Sequence, residues 1–349
     1  MRKSRAQFLI FGRARLRELN GKPTHVLQLQ GAILHHQLET MVQKKFSQEM
    51  GELFPAMCQF ATENDLLAFE LTASLISSVS RYIIGLASFL SGNIELAREQ
   101  LETLERTLPN LGEGASPIQK IRSRLPMRLA GVYEAKATIE VHSWNLDRNL
   151  KHLDSARIAL DAGLERNPNS YQMLLLSAIC HFVLKRDLGA AVNAVRQCKD
   201  LAVRDGTWRF SYAFLLAYRG DYQQALQQYK AAFRSRYRPN IPIQVESFML
   251  WVLEEEPERM ELHYCLGMVN LHAKCDYVRA KEEFQAFLHK SGQSKSLRQW
   301  RGQASRYLAM IDAEIERGTL TQDDGVGASG SNEPRAPSEE SSSPKRDSG

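Results

Sequence analysis

Apolar residues recur at helical spacing from about residue 38 to residue 317, with breaks about every 12 to 20 residues. This periodicity predicts a succession of amphipathic helices. The most apolar stretch, 71–90, is about long enough to span a bilayer, but Arg81 lies in its middle and several serines dilute it. We therefore interpret it as a buried helix pair and expect no membrane span.

The two ends of the chain follow other patterns. Residues 7–16 and 24–34 are rich in β-compatible side chains and flank Asn20-Gly21, a strong short turn signal, which predicts a β-hairpin from about 6 to 34. A two-stranded hairpin is marginal alone. We expect it to pack on the following helices, to pair with another chain, including a second copy of this one, or to belong to a larger domain.

The C-terminal segment is rich in Gly, Ser, Pro and Glu and offers little apolar surface to offset the entropy of ordering. It predicts a disordered tail. The expected organisation is a β-hairpin extension at 1–36, a helical repeat domain at 37–317 and the tail at 318–349.

One small residue recurs early in the second helix of each predicted helical pair. It is alanine every time, in segments such as GDYQQALQQY and CDYVRAKEEF. Successive alanines are separated by 59, 35, 34 and 55 residues. Two separations match one helix-turn-helix unit, and the two longer ones each leave room for one extra helix. The five alanines are Ala97, Ala156, Ala191, Ala225 and Ala280.

These segments resemble the tetratricopeptide repeat family, best over residues 211–233. There the chain has a small first-helix residue, a Gly-Asp-Tyr turn and two alanines in the second helix, at Ala213, Gly220-Asp221-Tyr222, Ala225 and Ala232. Other units supply part of the pattern: Gly85, Gly92-Asn93 and Pro109; Asp187, Ala191 and Cys198; Gly267, Asp276-Tyr277 and Phe287.

The resemblance covers about residues 80–320. It implies an all-α fold, a right-handed superhelix of stacked helical hairpins, with a short N-terminal β-hairpin and a disordered C-terminal tail. Small residues let antiparallel helices approach closely, Gly220 permits a left-handed turn, and Asp221 is expected to cap the next helix. The alternative is an irregular α-helical bundle whose spacing arose by chance.

In this family the first helix of each pair lines a concave groove, so the resemblance implies a non-enzymatic scaffold or adaptor that binds a partner protein or peptide. The groove candidates by alignment are Arg81, Lys185, Arg209, Tyr212, Arg219, Asn270 and Lys274. The set is basic with one aromatic residue, so we expect an acidic or carboxylate-bearing peptide. The carboxylate clamp of one chaperone-binding subfamily is not matched, because the corresponding positions around Gly267 hold Tyr264 and Met268.

Composition narrows the function classes further. The chain has 349 residues, 43% hydrophobic and 24% charged, with a net charge of +5, so nucleic-acid binding is not demanded. Five scattered cysteines without a CxxC pair favour a reducing compartment, and no leader pattern opens the chain, so we expect a cytoplasmic protein. Phosphate loops and the common hydrolase and dinucleotide motifs are missing from the sequence, which predicts neither enzymatic activity nor a cofactor.

One cluster contains ordinary metal-ligand types: His263, Cys265, His272 and Cys275. On a single helix, residues nine apart lie about 180° apart around the axis, so these side chains do not converge, and we predict no metal site. A second functional hypothesis remains open: a sensor or regulatory module of a multidomain effector whose catalytic or nucleotide-binding part is docked by the N-terminal hairpin.

Overall fold

The computed structural model of the chain describes residues 7–19, 22–34, 48, 58–60, 66–108, 116–201, 205–292 and 294–317. The chain divides into two compact units, Met1–Leu215 and Leu216–Gly349, and each is considered by itself. The predicted tail at 318–349 lies outside the described residues.

Three strands form one antiparallel sheet in the first unit. β1 (Gln7–Leu19) pairs with β2 (Lys22–Leu34) along its whole length, and β2 pairs with the short β3 (Cys58–Phe60), in the order β1-β2-β3. β1 and β2 lie in the span of the predicted hairpin, whose turn residues Asn20 and Gly21 are outside the described residues. β3 lies where helix was expected, because three residues are too short to produce a periodic signal.

Helices account for the rest of the described part of the first unit. α1 is one continuous helix, which corrects the expected helix pair. Its only glycine, Gly85, lies inside the helix, where the absence of a side chain lets Leu101 pack so closely that a Cβ would lie 2.6 Å from it. The helices are α1 (Leu66–Leu90), α2 (Ile94–Thr107), α3 (Ser116–Asp147), α4 (Leu150–Arg166), α5 (Tyr171–Lys185), α6 (Leu188–Leu201) and α7 (Thr207–Arg219), whose last turn belongs to the second unit.

The described part of the second unit contains five further helices. α10 continues into a π-helical turn at Asn270–Lys274, which ends where Cys275 adopts a left-handed conformation with φ 56°. The helices are α8 (Tyr222–Phe233), α9 (Ile241–Glu255), α10 (Met260–Val269), α11 (Tyr277–Ser291) and α12 (Arg298–Glu316). No helix within the described ranges is long and apolar enough to cross a membrane.

The five aligned alanines are all completely buried. They lie on α2, α4, α6, α8 and α11, each a second helix of a helical pair. A methyl side chain at these positions lets the paired helices approach closely. The alanines that recur along the sequence therefore mark positions where paired helices pack closely, as predicted.

The two long separations between alanines have different origins. Between Ala225 and Ala280, α9 is the extra helix that the spacing predicted. Between Ala97 and Ala156 the described residues hold only α3, so the expected extra helix there is wrong. The additional length lies partly in α3 itself, which runs for 32 residues and continues through Pro126.

Of the two predictions for the turn before α8, the left-handed conformation of Gly220 is confirmed and the Asp221 cap is wrong. Gly220 has φ 94°, and the Asp276 carboxylate accepts a hydrogen bond from the Arg279 backbone N–H at 3.0 Å, capping α11. Asp221, expected to cap α8, makes no capping hydrogen bond. Its carboxylate instead accepts from Arg219 Nε at 2.6 Å, because the guanidinium of the preceding helix reaches it across the turn.

Candidate partner-binding surface

The helices of the first unit form two layers. α1, α3 and α5 pack on one another directly, while α2, α4 and α6, among the described residues, approach one another less closely. We call these the odd-helix layer and the even-helix layer. Because α4 joins α3 and α5 through short turns and runs antiparallel to both, α3 and α5 point the same way.

The two layers differ in charge. The three helices of the odd-helix layer carry seven basic and four acidic residues. The three helices of the even-helix layer carry seven basic and eight acidic residues. The odd-helix layer is therefore the more favourable of the two for an acidic partner.

Two large apolar side chains are exposed on one side of α3. Ile139 is 52% exposed and Leu146 is 75% exposed, and His142, also exposed, lies between them. At about 100° per residue, these three share a face opposite the buried Ala137 and Val141, which pack towards the core. We call Ile139, His142 and Leu146 the α3 face.

Lys185 lies at the same end of the odd-helix layer as Leu146. It is the last residue of α5, and α3 and α5 run in the same direction with Leu146 in the last turn of α3. Its side chain is exposed, and within the described residues it has no ion pair or hydrogen bond. The α3 face and this cation therefore lie towards the same end of the odd-helix layer.

Arg209 and Tyr212 occupy the first two turns of α7. The Arg209 guanidinium lies over the ring of Trp208 at 4.5 Å, and Tyr212 packs against the same ring with centroids 6.0 Å apart. Trp208 is buried, and its backbone N–H donates to the Tyr171 hydroxyl at 3.2 Å. The hydroxyl group of Tyr171 therefore fixes the start of α7, and with it the position of both predicted residues.

Arg81 has a partner inside its own helical pair. Its Nη1 donates to Gln100 Oε1 on α2 at 3.1 Å. The side chain therefore links α1 to α2, and a ligand would have to compete with that hydrogen bond.

The three predicted residues of the second unit are engaged or buried. Arg219 pairs with Asp221, and Lys274 Nζ donates at 2.6 Å to Glu246, a carboxylate that also accepts from Arg279. Asn270 is only 1% exposed, and its Oδ1 has no hydrogen-bond partner in the part of the chain that the structure describes. Asn270 therefore does not offer its side chain to a ligand as expected, because the π-helical turn places it in the core.

A network that the sequence did not reveal holds α9 and α10 to the end of α7. The Arg259 guanidinium lies 3.7 Å from the centroid of the Tyr218 ring and donates to the Tyr218 carbonyl oxygen at 3.2 Å. Glu256 accepts from both side chains, from Tyr218 at 2.6 Å and from Arg259 at 3.0 Å. The role of this network is structural, because it joins the end of α9 and the start of α10 to Tyr218.

The histidines and cysteines of the second unit do not converge. His263 contacts Glu283 and Lys290, whereas the His272 ring packs between Phe233 and Tyr307. Among the described residues, no group of three or more His, Cys, Asp or Glu is arranged to hold a metal ion.

The buried cysteines are poor nucleophiles. Burial raises the pKa of the Cys180 thiol and of the Cys198 thiol to about 12, and it also raises the pKa of Cys265. The reactive form of cysteine is the thiolate, which these environments disfavour at neutral pH.

No protein-family model matches the chain, and no curated protein sequence matches it. Among solved structures, the MamA protein gives a TM-score of 0.32 at 12% identity over 62% of this chain and 92% of that one. A human IFIT1 dimer with PPP-AAAA gives 0.27 at 14% identity over 74% and 70%. An IFIT1 monomeric mutant with Gppp-AAAA gives 0.27 at 13% identity over 78% and 75%. At these TM-scores, the description of the fold rests on the helices of this chain itself.

Sequence reasoning missed the α3 face. Ile139 and Leu146 lie seven residues apart, out of phase with the buried stripe of the same helix, and that phase difference is the signal that would have found them.

Proposed function

We propose that this chain is a non-enzymatic scaffold of the tetratricopeptide type that binds an acidic segment of a partner protein on the odd-helix layer. The observation that carries the proposal is the α3 face, two large exposed apolar side chains in the same helical layer as the exposed Lys185. The buried alanines support the repeat assignment, because they repeat the same packing position in successive helical pairs.

Exposed leucines and isoleucines are common singly, but two on one helical face around a histidine form a patch that a partner can cover. Apolar side chains of the partner would contact Ile139 and Leu146. Its carboxylates would pair with Lys185, and the excess of basic residues in the layer would steer the approach. On α7, Arg209 adds a further cation and Tyr212 an aromatic side chain for the same partner.

A random peptide library displayed on phage tests this proposal directly. Panned against the full chain, the library is expected to yield peptides that combine acidic and large apolar residues. Their affinity is expected to fall at high salt, because the carboxylate contacts are exposed and therefore screened.

Matched variants locate the binding surface. Ile139→Asp and Lys185→Glu are expected to weaken binding of the enriched peptides. Ile158→Asp on α4, where Ile158 is 62% exposed, and Lys199→Glu on α6 are the controls and are expected to leave binding unchanged. All four positions are on the surface, so folding should be preserved. Equal effects of the two sets, or enrichment of basic peptides, would show that the proposal is wrong.

A further inference from the structure

One side of α9 is left uncovered in the described part of the second unit. The helix packs on α10 and on the π-helical turn, and Val252 on its inner side is completely buried. On the opposite side Ile243 is 59% exposed and Leu250 is 39% exposed. Exposed Ser247 and Glu254 lie on that side too, because the spacing of these four residues follows the helical repeat. We call Ile243, Ser247, Leu250 and Glu254 the α9 face.

The two ends of α9 carry opposite, unpaired charges. Three exposed arginines precede the helix, and three exposed glutamates lie in its last turn or just beyond it. Within the described residues, none of these six side chains makes a hydrogen bond or an ion pair. They are Arg234, Arg236 and Arg238 at one end and Glu254, Glu255 and Glu258 at the other. The surface of α9 is therefore basic at one end and acidic at the other, with apolar side chains between them.

This charge order opposes the helix dipole. The amino end of a helix carries a partial positive charge and the carboxyl end a partial negative charge, so acids favour the first turn and bases the last. α9 has no acidic residue in its first turn and no basic residue in its last turn. Instead, Arg238 lies two residues before the N-cap Asn240, and Glu254 and Glu255 lie in the last turn. The charges disfavour α9 at both ends, and a neighbouring helix with the reverse charge order would offset both effects.

A second copy of α9 has the required charge order when it runs antiparallel. With Ile243 of one copy opposite Leu250 of the other, two-fold symmetry repeats the same contact. Five residues outwards from that contact, Arg238 of one copy comes level with Glu255 of the other. Ser247 then lies beside the two-fold axis, where its small side chain lets the helices approach closely. One register thus brings apolar side chains together at the centre and opposite charges together at both ends.

Other occupants match less of the α9 face. An acidic peptide would pair with the arginines but meet the glutamates at the far end, and a basic peptide would do the reverse. A parallel second copy would place arginines against arginines. Like charges placed together disfavour all three arrangements. The antiparallel second copy matches both the charges and the apolar side chains.

We propose that this chain forms a two-fold symmetric homodimer in which the α9 faces of two copies pack antiparallel. Ile243 and Leu250 form the apolar centre, and ion pairs between Arg238 and Glu255 close each end. The interface lies in the second unit, whereas the acidic-segment surface of the proposed function lies on helices of the first. The tests use the chain without any partner protein, so their outcome is independent of the proposed function.

Sedimentation equilibrium of the full chain measures the dimer. One helix pair buries less surface than standard interfaces of about 1,200–2,000 Å², so we expect a weak dimer with a dissociation constant of about 10–100 μM. Leu250→Asp should weaken it at least about 30-fold, because two carboxylates would enter the apolar centre.

Met310→Asp is the control, because Met310 is 43% exposed on α12 and lies outside the α9 face. It should dimerise as the parent does, and circular dichroism of each variant checks that the helices remain folded. A parent chain that stays monomeric up to about 500 μM, or equal effects of the two substitutions, would overturn the proposal.

Charge reversal tests whether the two ends of α9 face each other. Arg238→Glu and Glu255→Arg should each weaken the dimer about ten-fold, because each change turns both symmetric ion pairs into like-charge contacts. The chain with both changes should regain the parent affinity, since the reversed charges pair again across the axis. A mixture of the two single variants should form heterodimers for the same reason. Losses that add up in the doubly changed chain would contradict the antiparallel pairing.

A disulfide across the axis tests the register. In a Cys275→Ser background, which removes an exposed thiol, Ser247→Cys should give a covalent dimer with glutathione disulfide as the oxidant, because the two introduced thiols lie close together. Ser305→Cys, exposed on α12, is the control and should stay unlinked. Equal cross-linking from both positions, or a dimer that none of the α9 variants alters, would show that another surface forms it.

Discussion

Gly267 on α10 lies directly against the ring of Phe284 on α11. A Cβ built on Gly267 would lie 2.6 Å from a ring carbon of Phe284, closer than real Cβ contacts allow. The ring has little room to move, because Tyr307 stacks on it with centroids 5.3 Å apart and Tyr264 packs against its edge at 5.7 Å. At this contact the glycine lets α10 and α11 approach each other closely.

Gly267→Ala is therefore expected to lower the free energy of unfolding of the second unit by about 1–3 kcal/mol, the usual cost of overpacking. Chemical denaturation monitored by Trp fluorescence measures it. Gly302→Ala on α12 is the control, because a Cβ there would meet no atom of the described residues within 4 Å. It should stabilise by about 0.5–1 kcal/mol, as alanine does in a helix interior. Equal effects of the two changes would contradict the packing described for Gly267.

The network around Arg259 predicts a difference between two Arg→Lys changes. Arg259→Lys loses the stacking on Tyr218 and part of the hydrogen bonding to Glu256, and it should destabilise by about 1 kcal/mol. Arg317→Lys is the control. Because Arg317 is 63% exposed and pairs with Glu314, this substitution should lower the free energy of unfolding by less than about 0.5 kcal/mol. Urea denaturation measures the free energy of unfolding of both variants. A smaller loss for Arg259→Lys than for Arg317→Lys would show that the network contributes little.

His272 makes a pH-dependent contribution to the stability of the folded protein. Burial lowers the pKa of its imidazole, and the nearby charge of Lys230 lowers it further. The folded state therefore resists protonation of this ring, while the unfolded chain takes up the proton near pH 6.5. Below that pH the unfolded state binds more protons, so stability is lost as the pH falls.

The test is to compare the parent protein with His272→Gln at several pH values. The denaturation midpoint of the variant, relative to that of the parent, is expected to rise as the pH is lowered from 7.5 to 5.5. A constant difference across this range would mean that His272 titrates as it does in the unfolded chain.

The repeat positions could be read from the sequence because they follow a simple physical rule. A small side chain is required wherever two helices approach closely, so Ala97, Ala156, Ala191, Ala225 and Ala280 stood out and all are buried. The left-handed turn at Gly220 was predictable for a similar reason, since glycine adopts a positive φ without strain.

Features that depend on the partner of a side chain could not be predicted in the same way. Asp221 has the right type and position for a cap, yet it pairs with Arg219. The burial of Asn270 follows from a π-helical turn, which has no residue signature in this sequence. The α3 face could not be predicted, because the exposure of its side chains depends on which side of α3 the neighbouring helices cover.

Site-specific photo-cross-linking in the native cell tests most directly whether a partner protein binds on the odd-helix layer. A photoreactive residue replaces either Ile139 on the odd-helix layer or Ile158 on the even-helix layer, two exposed isoleucines on adjacent helices. Binding on the odd-helix layer predicts a partner-protein adduct from position 139 that Lys185→Glu reduces, and none from position 158. An adduct formed equally well from position 158, or an adduct from position 139 that Lys185→Glu does not reduce, would contradict binding on the odd-helix layer.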